Sequence, residues 1–246
     1  MYTRTPHKFQ TRFPCQNLIL FQPDLCLKKG MWLIMHWEVI DKNRYEILKK
    51  VVETINLKSY YLAGGTALAL QTGIRESFDF DFFIQTEFDE NLLIQELETI
   101  GELEVTVCRK GTVHAILNGV QLTFLYFRNN LVANKVTVED IKGLYLASIE
   151  DIAIMKLIAI SQRGTKKDFF DLYYICNNFN ITITDILNML DEKYDEDKIN
   201  YAHIIQSLAY FEDAEDENLP KVFIEYDWQK IKEYYIKEQK KIYNEK

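Results

Sequence analysis

Long apolar runs and cysteine clusters are both missing from this sequence. The apolar stretch 18–21 is far too short for the core of a secretion signal. No run in the chain approaches the roughly 20 residues needed to cross a bilayer. The four cysteines, Cys15, Cys26, Cys108 and Cys176, lack the paired spacing of a metal site. We therefore expect a cytoplasmic protein with reduced thiols that does not contact a membrane.

Proline is scarce, and three of the four prolines fall within residues 1–35. This segment also lacks a sustained hydrophobic period, which predicts a poorly ordered N-terminal extension. Met31 and Met35 are alternative start sites, because a periodic helix begins shortly after them.

An excess of basic residues is also missing, since the 246-residue chain carries a net charge of −8. From residue 190 onward there are 15 acidic and 9 basic residues, and the remaining 22 acids (37 − 15) nearly balance 20 bases (29 − 9). The acidity thus belongs mainly to the C-terminal region and does not exclude a nucleic-acid substrate. A hydrophobic content of 48% is that of an ordinary globular protein, with room for one large or two small domains.

Two aspartates alternate with phenylalanines in the segment 78–82, FDFDF. A period of two predicts a strand with one apolar and one acidic face. Asp79 and Asp81 then point the same way, about 7 Å apart along the strand. Because neighbouring carboxylates repel, this arrangement favours a bound hard cation such as Mg²⁺. The alternative is an acidic strand face that is merely exposed to solvent.

A glycine pair precedes these aspartates by fifteen residues, in the order Gly64, Gly65, Thr66 and a short helix over 67–71. Glycines allow backbone N–H groups to approach a phosphate closely, and the helix N-terminus favours an anion. The pair could equally be a common turn. A polar loop with Arg75 and Ser77 connects this helix to the acidic strand.

A lysine lies within an otherwise apolar helical run, IAIMKLIAI, in the segment 148–163. Burial of an unpaired ammonium group is costly, so Lys156 is expected to reach a negative group. The alternative is that its stem is buried and its charge reaches solvent. Arg163, seven residues further, lies on nearly the same helical face, and the two cations would suit a triphosphate.

A second helix is predicted after Gly164, beginning at the T-x-x-D sequence from Thr165 to Asp168. Asp168 and Asp171 lie three residues apart and share one face of this helix. Structural roles are also open, since Asp168 could cap the helix and Asp171 could pair with Lys167.

The remaining patterns predict a mixed α/β sheet domain over 36–133 and a mainly helical domain over 134–246. In the first domain, helices at 41–57 and 89–100 alternate with strands at 60–63 and 78–82. Strands at 103–108, 112–117 and 121–127 follow, with hairpin turns at Lys110-Gly111 and Asn118-Gly119. Further helices are predicted at 184–190, 200–211 and 228–243, with an acidic linker at 212–217.

Gly-Gly-Thr, a short helix and Ser-x-Asp-x-Asp resemble the signature of the nucleotidyltransferase superfamily related to DNA polymerase beta. The sequence LAGGTALAL and the downstream motif E-D-x₄-K-x₆-R-G-x-x-K-D-F-x-D-L-Y together resemble, more narrowly, the AbiEii/AbiGii-type toxin family. The resemblance covers roughly residues 36–180. It implies an α+β fold, in which a polymerase-beta-like mixed sheet is followed by a mainly helical C-terminal domain.

The resemblance also implies a function, namely metal-dependent transfer of a nucleoside monophosphate from a triphosphate to an acceptor hydroxyl. An RNA acceptor, most plausibly tRNA, and a cognate antitoxin of a bacterial type IV system are implied with it. The site would contain metal ligands (Asp79, Asp81), nucleotide contacts (Gly64, Gly65, Thr66, Arg75, Ser77, Lys156, Arg163) and, as further catalytic groups, Lys156 with Asp168 or Asp171.

The sequence departs from the superfamily pattern at the third carboxylate, which generally lies on a later strand facing the first two. Here the strand 121–127 offers only Gln121 and Thr123. Whether the site binds one metal or two is therefore open. Two rival hypotheses remain, a nucleotidyltransferase acting on a small molecule such as an antibiotic and a non-catalytic nucleotide-binding protein.

Overall fold

The computed structural model describes residues 34–55, 59–194 and 199–244. The N-terminal extension predicted for residues 1–35 therefore lies outside the described residues, except for its last two positions. Within the described ranges, no helix combines the length and apolar character required to cross a membrane.

A seven-stranded mixed sheet forms the centre of the fold. Its strands are β1 (Tyr60–Ala63), β2 (Phe80–Ile84), β3 (Leu103–Arg109), β4 (Thr112–Leu117), β5 (Val120–Tyr126), β6 (Val136–Thr137) and β7 (Tyr145–Leu146). The helices are α1 (Lys42–Thr54), α2 (Gly64–Thr72), α3 (Glu90–Glu98), α4 (Ile149–Gln162), α5 (Lys166–Asn178), α6 (Ile183–Lys193), α7 (Tyr201–Ser207), α8 (Glu212–Glu215) and α9 (Trp228–Asn244). The α+β class is confirmed.

The strand order across the sheet is β3-β4-β5-β2-β1-β7-β6. Strand β2 is antiparallel to β1 and parallel to β5, which brings segments far apart in sequence to the centre of the sheet. The short β6–β7 hairpin extends the sheet next to β1. The sheet therefore continues beyond residue 133, where the boundary between the two domains is predicted.

The two faces of the sheet differ in character. On the back face, Phe80, Phe82 and Phe124 are fully buried, and Phe82 stacks on Phe124 with ring centroids 5.0 Å apart. The front face is the side of β2, β5 and β4 that bears Asp81, Thr123 and His114, which are aligned across these three strands. It is the more polar face and contains the candidate site.

The predicted order of helices and strands through β5 is confirmed. Asn118 and Gly119 both have positive φ angles, 47° and 80°, as the predicted hairpin between β4 and β5 requires. The acidic segment predicted as a linker at 212–217 contains the short helix α8 instead.

The strand predicted from residue 78 begins at Phe80. The residues before it use their backbone groups in other contacts. Ser77 N–H donates to the carbonyl of Val39 at 3.0 Å, and Glu76 N–H donates to the carbonyl of Lys221 at 2.8 Å. This competing set of hydrogen bonds, distant in sequence, shortens the strand.

Helices α4 and α5 form a hairpin whose ends follow from local sequence. The Ser148 hydroxyl accepts a hydrogen bond from Asp151 N–H and caps α4. Gly164 has a φ of +53° and allows the chain to leave α4 in the left-handed region. Thr165 then precedes α5, and its hydroxyl donates to the Asp168 carboxylate at 2.6 Å rather than capping the helix backbone.

Candidate active site

Asp81 lies on the front face of β2, and Asp79 immediately precedes this strand. Asp81 is aligned with Ala63 of β1 on one side and with Thr123 of β5 on the other. The Thr123 hydroxyl donates a hydrogen bond to the Asp81 carboxylate, at the position where a third carboxylate was sought. No group of three or more potential metal ligands occurs among the described residues. The assignment of Asp79 and Asp81 as cation ligands stays a prediction.

The environment of Asp81 disfavours its negative charge. Burial raises the pKa of this carboxyl, and the hydrogen bond from Thr123 opposes the rise. The charge of Asp79 raises the pKa further, whereas Lys156 and Arg163 act in the lowering direction. The balance is a raised pKa, with burial as its largest cause.

The glycine pair lies close to Asp81 and Arg75, and its predicted contact with phosphates stays a prediction. A Cβ atom on Gly64 would lie 3.0 Å from Asp81 Oδ2, and one on Gly65 would lie 2.3 Å from Arg75 Nη2. Gly64 also has a φ of +66°. The two glycines thus leave space for a carboxylate and a guanidinium.

We expect Gly64→Ala to weaken both folding and activity. The left-handed backbone costs a residue with a Cβ about 1–2 kcal/mol, and the new methyl group would displace the Asp81 carboxylate. Gly119→Ala is the matched control, because Gly119 has a φ of +80° but no atom within 4 Å of an added Cβ. Urea unfolding should show similar losses for both variants, and only Gly64→Ala should lower nucleotidyl transfer. Equal activities would contradict the proposed contact.

Thr66 and Ser77 join the glycine turn to the loop before β2. Their hydroxyl oxygens lie 2.7 Å apart, and the Thr66 hydroxyl also donates to the backbone carbonyl of Asp79. Both side chains are buried. Their direct effect is to position the backbone of Asp79, and the predicted contact with phosphates stays a prediction.

Arg75 is buried and connects the same loop to α5. Its Nε and Nη2 donate to the two oxygens of Asp171, both at 2.7 Å, and its Nη1 donates to the Glu76 carbonyl at 2.9 Å. The nucleotide contact predicted for Arg75 stays a prediction. Its three described hydrogen bonds are all to groups of the protein, so Arg75 stabilises the loop and α5 around the site.

Lys156 lies between two carboxylates. Its Nζ is 2.9 Å from Asp168 Oδ1 and 2.6 Å from Asp171 Oδ2. The side chain is 5% exposed, so the expectation that it reaches a negative group is confirmed and the alternative of a solvated charge is wrong. Asp171 pairs with Lys156 and Arg75, and not with Lys167 as the structural alternative supposed.

Arg163 completes this network and extends it to the surface. Its Nε is 2.9 Å from Asp168 Oδ2, and its side chain is 58% exposed. Burial acts to raise the pKa of Asp168, but the charges of Lys156 and Arg163 and their hydrogen bonds reverse the effect and lower it. The neighbouring residues Gly64 and Gly65 lie against Asp81 and Arg75 respectively, so the network is beside Asp81. Lys156 and Arg163 accordingly act to lower the pKa of Asp81.

The ion network therefore has a net positive charge. It contains three cations (Arg75, Lys156, Arg163) and two carboxylates (Asp168, Asp171), and the pKa of each carboxyl is lowered, so the sum is +1. The sequence patterns identified each member separately. They could not indicate the pairing of Arg75 with Asp171, which are 96 positions apart, because no local spacing connects the two.

Known proteins resemble this chain in sequence and in fold. A sequence profile described as nucleotidyl transferase AbiEii toxin, type IV TA system, matches residues 46–242. An uncharacterized protein of Aquifex aeolicus (strain VF5) is 34% identical over 198 residues, which are 80% of this chain and 94% of that protein. The crystal structure of a candidate nucleotidyltransferase from H. pylori is similar with a TM-score of 0.51. It is 18% identical, and the match covers 83% of this chain and 96% of that one.

The H. pylori structure supports the fold alone, and it confirms the predicted nucleotidyltransferase sheet with its helical C-terminal part. The family profile spans the glycine pair, the paired aspartates and the ion network. The chain therefore belongs to the AbiEii nucleotidyltransferase toxin family, and the protein is a nucleotidyltransferase.

Proposed function

We propose that the protein transfers a nucleoside monophosphate from a triphosphate to a hydroxyl group of tRNA, with magnesium, as the toxin of a type IV system with a cognate antitoxin. The observation that supports this most strongly is the position of a positively charged ion network beside two acidic residues. A triphosphate–magnesium complex needs both, since its metal requires carboxylates and its phosphates require cations.

The residues present fit one divalent cation. Asp79 and Asp81 supply oxygen ligands of the kind that magnesium prefers. Burial and the charge of Asp79 raise the pKa of Asp81, and a bound cation would oppose both effects. A magnesium ion bound there would act as a Lewis acid on the phosphate oxygens. With water and phosphate oxygens as its other ligands, a third protein carboxylate is not required for this single ion.

Arg163 and Lys156 have different parts in this proposal. Arg163 is exposed and already oriented by Asp168, so its guanidinium can bind phosphate oxygens directly. Lys156 is buried, and its bonds to Asp168 and Asp171 account for two of its three ammonium protons. The third proton, and the charge itself, remain for the triphosphate.

The two aspartates of α5 are both fully buried but differ in their partners. Asp168 contacts the exposed Arg163, so it orients a phosphate-binding group at the surface of the site. The described cation partners of Asp171, Arg75 and Lys156, are both buried, so Asp171 supports the site without reaching a substrate. We assign the activity-linked acid of the downstream motif to Asp168 on this basis.

The test is to incubate purified protein with Mg²⁺, each labelled nucleoside triphosphate in turn, and total tRNA. We expect label to move to tRNA with one preferred base, and to stay in the triphosphate with the Asp79→Ala/Asp81→Ala variant. Omission of Mg²⁺ should abolish transfer. Label on a small molecule but not on RNA would contradict the tRNA acceptor, and magnesium-dependent nucleotide binding without any transfer would contradict catalysis.

A further inference from the structure

A histidine lies on the front face two strands from Asp81. In the register of the sheet, Asp81 of β2 is aligned with Thr123 of β5, and Thr123 is aligned with His114 of β4. Aligned residues on neighbouring strands point to the same face. The Cα atom of His114 is therefore about 10 Å from that of Asp81, and its imidazole can extend toward the space above Thr123.

The neighbours of His114 confirm that its side chain is on the front face. Val113 and Ala115, on either side of it, are fully buried against the back of the sheet. His114 itself is half-buried. No side chain among the described residues gives its imidazole a hydrogen bond or an ion pair, although its backbone carbonyl accepts one from Thr106 at 3.2 Å. A half-buried imidazole without a protein partner, on the face that bears the reacting groups, is available to a substrate.

Nucleotidyl transfer includes a proton-transfer step. Apart from His114, the described residues supply no group for it. The attacking hydroxyl must lose its proton, and a third carboxylate is absent because Thr123 occupies its position and donates to Asp81. Asp79 and Asp81 are committed to the cation. Asp168 and Asp171 are both ion-paired, which makes them weak bases.

His114 is also unsuited to be a third metal ligand. It forms no potential metal-binding group with Asp79 and Asp81 in the described part of the chain. Imidazole moreover favours softer ions than magnesium. A neutral imidazole can accept a proton near pH 7. Proton transfer is therefore the chemistry that His114 can supply.

We infer that His114 is the general base of the reaction and takes the proton of the acceptor hydroxyl. This inference rests on the proposed function. The hydroxyl proton passes to an imidazole nitrogen as the acceptor oxygen forms a bond to the α-phosphorus. The bond from the α-phosphorus to the bridging oxygen breaks, and its electron pair leaves with pyrophosphate. The acceptor would then lie over β5 and β4, where Gln121 is exposed and Ile116 half-exposed.

Charged groups near His114 come from two strands. On β3, Glu104 is aligned with Ile116, and Arg109 is aligned with Thr112. Ile116 and Thr112 are the front-face positions on either side of His114, and the two charged residues of β3 are exposed. Beyond Thr123 on the other side is Asp81. Opposite charges thus flank the imidazole along β3. Because only a neutral imidazole can accept the proton, transfer should fall toward acid pH.

The test compares His114→Gln and His114→Ala with the unaltered protein, with total tRNA as acceptor and the preferred triphosphate as donor. We expect kcat to fall by about 10²–10⁴-fold, as for loss of a general base. The KM for the triphosphate, the magnesium requirement and the melting temperature should change little. The acidic limb of the pH profile should disappear, and added imidazole should restore part of the activity of His114→Ala.

His203→Gln is the matched control, because His203 is an exposed histidine of α7 whose ring Nε2 lies 2.8 Å from the Ser161 carbonyl. It should retain full activity. The inference is overturned if the His114 variants keep kcat within threefold, lose activity with an unchanged pH profile, or need more magnesium. Each of these results would leave the proposed function intact, provided that Asp79→Ala/Asp81→Ala is inactive. Absence of transfer by the unaltered protein would overturn both.

Discussion

Asp171→Ala should destabilise the folded protein by about 3–5 kcal/mol, the range measured when one partner of a buried ion pair is removed. Asp171 is fully buried and binds two buried cations, Arg75 at 2.7 Å and Lys156 at 2.6 Å. Its loss would leave Arg75 with no carboxylate partner and would leave a net charge of +2 in the network. Urea unfolding followed by circular dichroism would measure the change.

The control for this prediction is Glu53→Ala. Glu53 is 62% exposed and lies 3.9 Å from Lys49, so its removal should cost less than about 1 kcal/mol. A loss for Asp171→Ala as small as that of Glu53→Ala would show that the buried network does not stabilise the fold.

The same network predicts how stability depends on acid. Burial acts to raise the pKa of Asp171, but Lys156 and Arg75 outweigh it and lower the pKa. An acid whose pKa is lower in the folded state stabilises folding above its unfolded value of about 3.9, and the stabilisation is lost as the pH falls below that value. The unaltered protein should therefore lose stability steeply below about pH 4, and Asp171→Ala less steeply.

Asp81→Asn should abolish transfer and at the same time stabilise the metal-free protein. Loss of a metal ligand should lower kcat/KM by about 10³-fold or more, since metal-ion catalysis contributes several kcal/mol. The pKa of Asp81 is raised by burial and by Asp79, so the folded state binds this proton more tightly than the unfolded state does. The Asp81 carboxyl therefore contributes its full stabilisation at a pH below its pKa in the unfolded protein. This stabilisation is lost as the pH rises through its pKa in the folded protein. At pH 7 asparagine avoids this loss.

Melting curves with and without magnesium would test both parts. We expect the metal-free Asp81→Asn variant to melt at a higher temperature than the unaltered protein at pH 7. Magnesium should raise the melting temperature of the unaltered protein, because a ligand of the folded state stabilises it, and should have little effect on the variant. An equal magnesium effect on both proteins would place the cation elsewhere.

Several elements could be predicted because their signals are local. Asp79 and Asp81 lie two residues apart at the start of β2, and Lys156 and Arg163, seven residues apart, both contact Asp168. The Asn118-Gly119 hairpin and the Ser148 cap were likewise predictable from neighbouring residues. The first and last residues of the helices and strands were less predictable than the elements themselves. Strand β2 begins two residues later than predicted because the segment 74–76 pairs with the segment 221–223, which is distant in sequence.

The sequence by itself indicated the reaction class through its family resemblance, and it determined the order of the elements through β5 and which charged residues gather in two short segments. Only the tertiary structure decided how those charges are used. It buried Lys156 between two aspartates, turned Arg75 inward to Asp171 and set Thr123 against Asp81. The physical reason is that charge pairing and strand register depend on contacts between different helices and strands, as between Arg75 and Asp171, which are 96 positions apart. No spacing rule within a single helix or strand encodes such contacts.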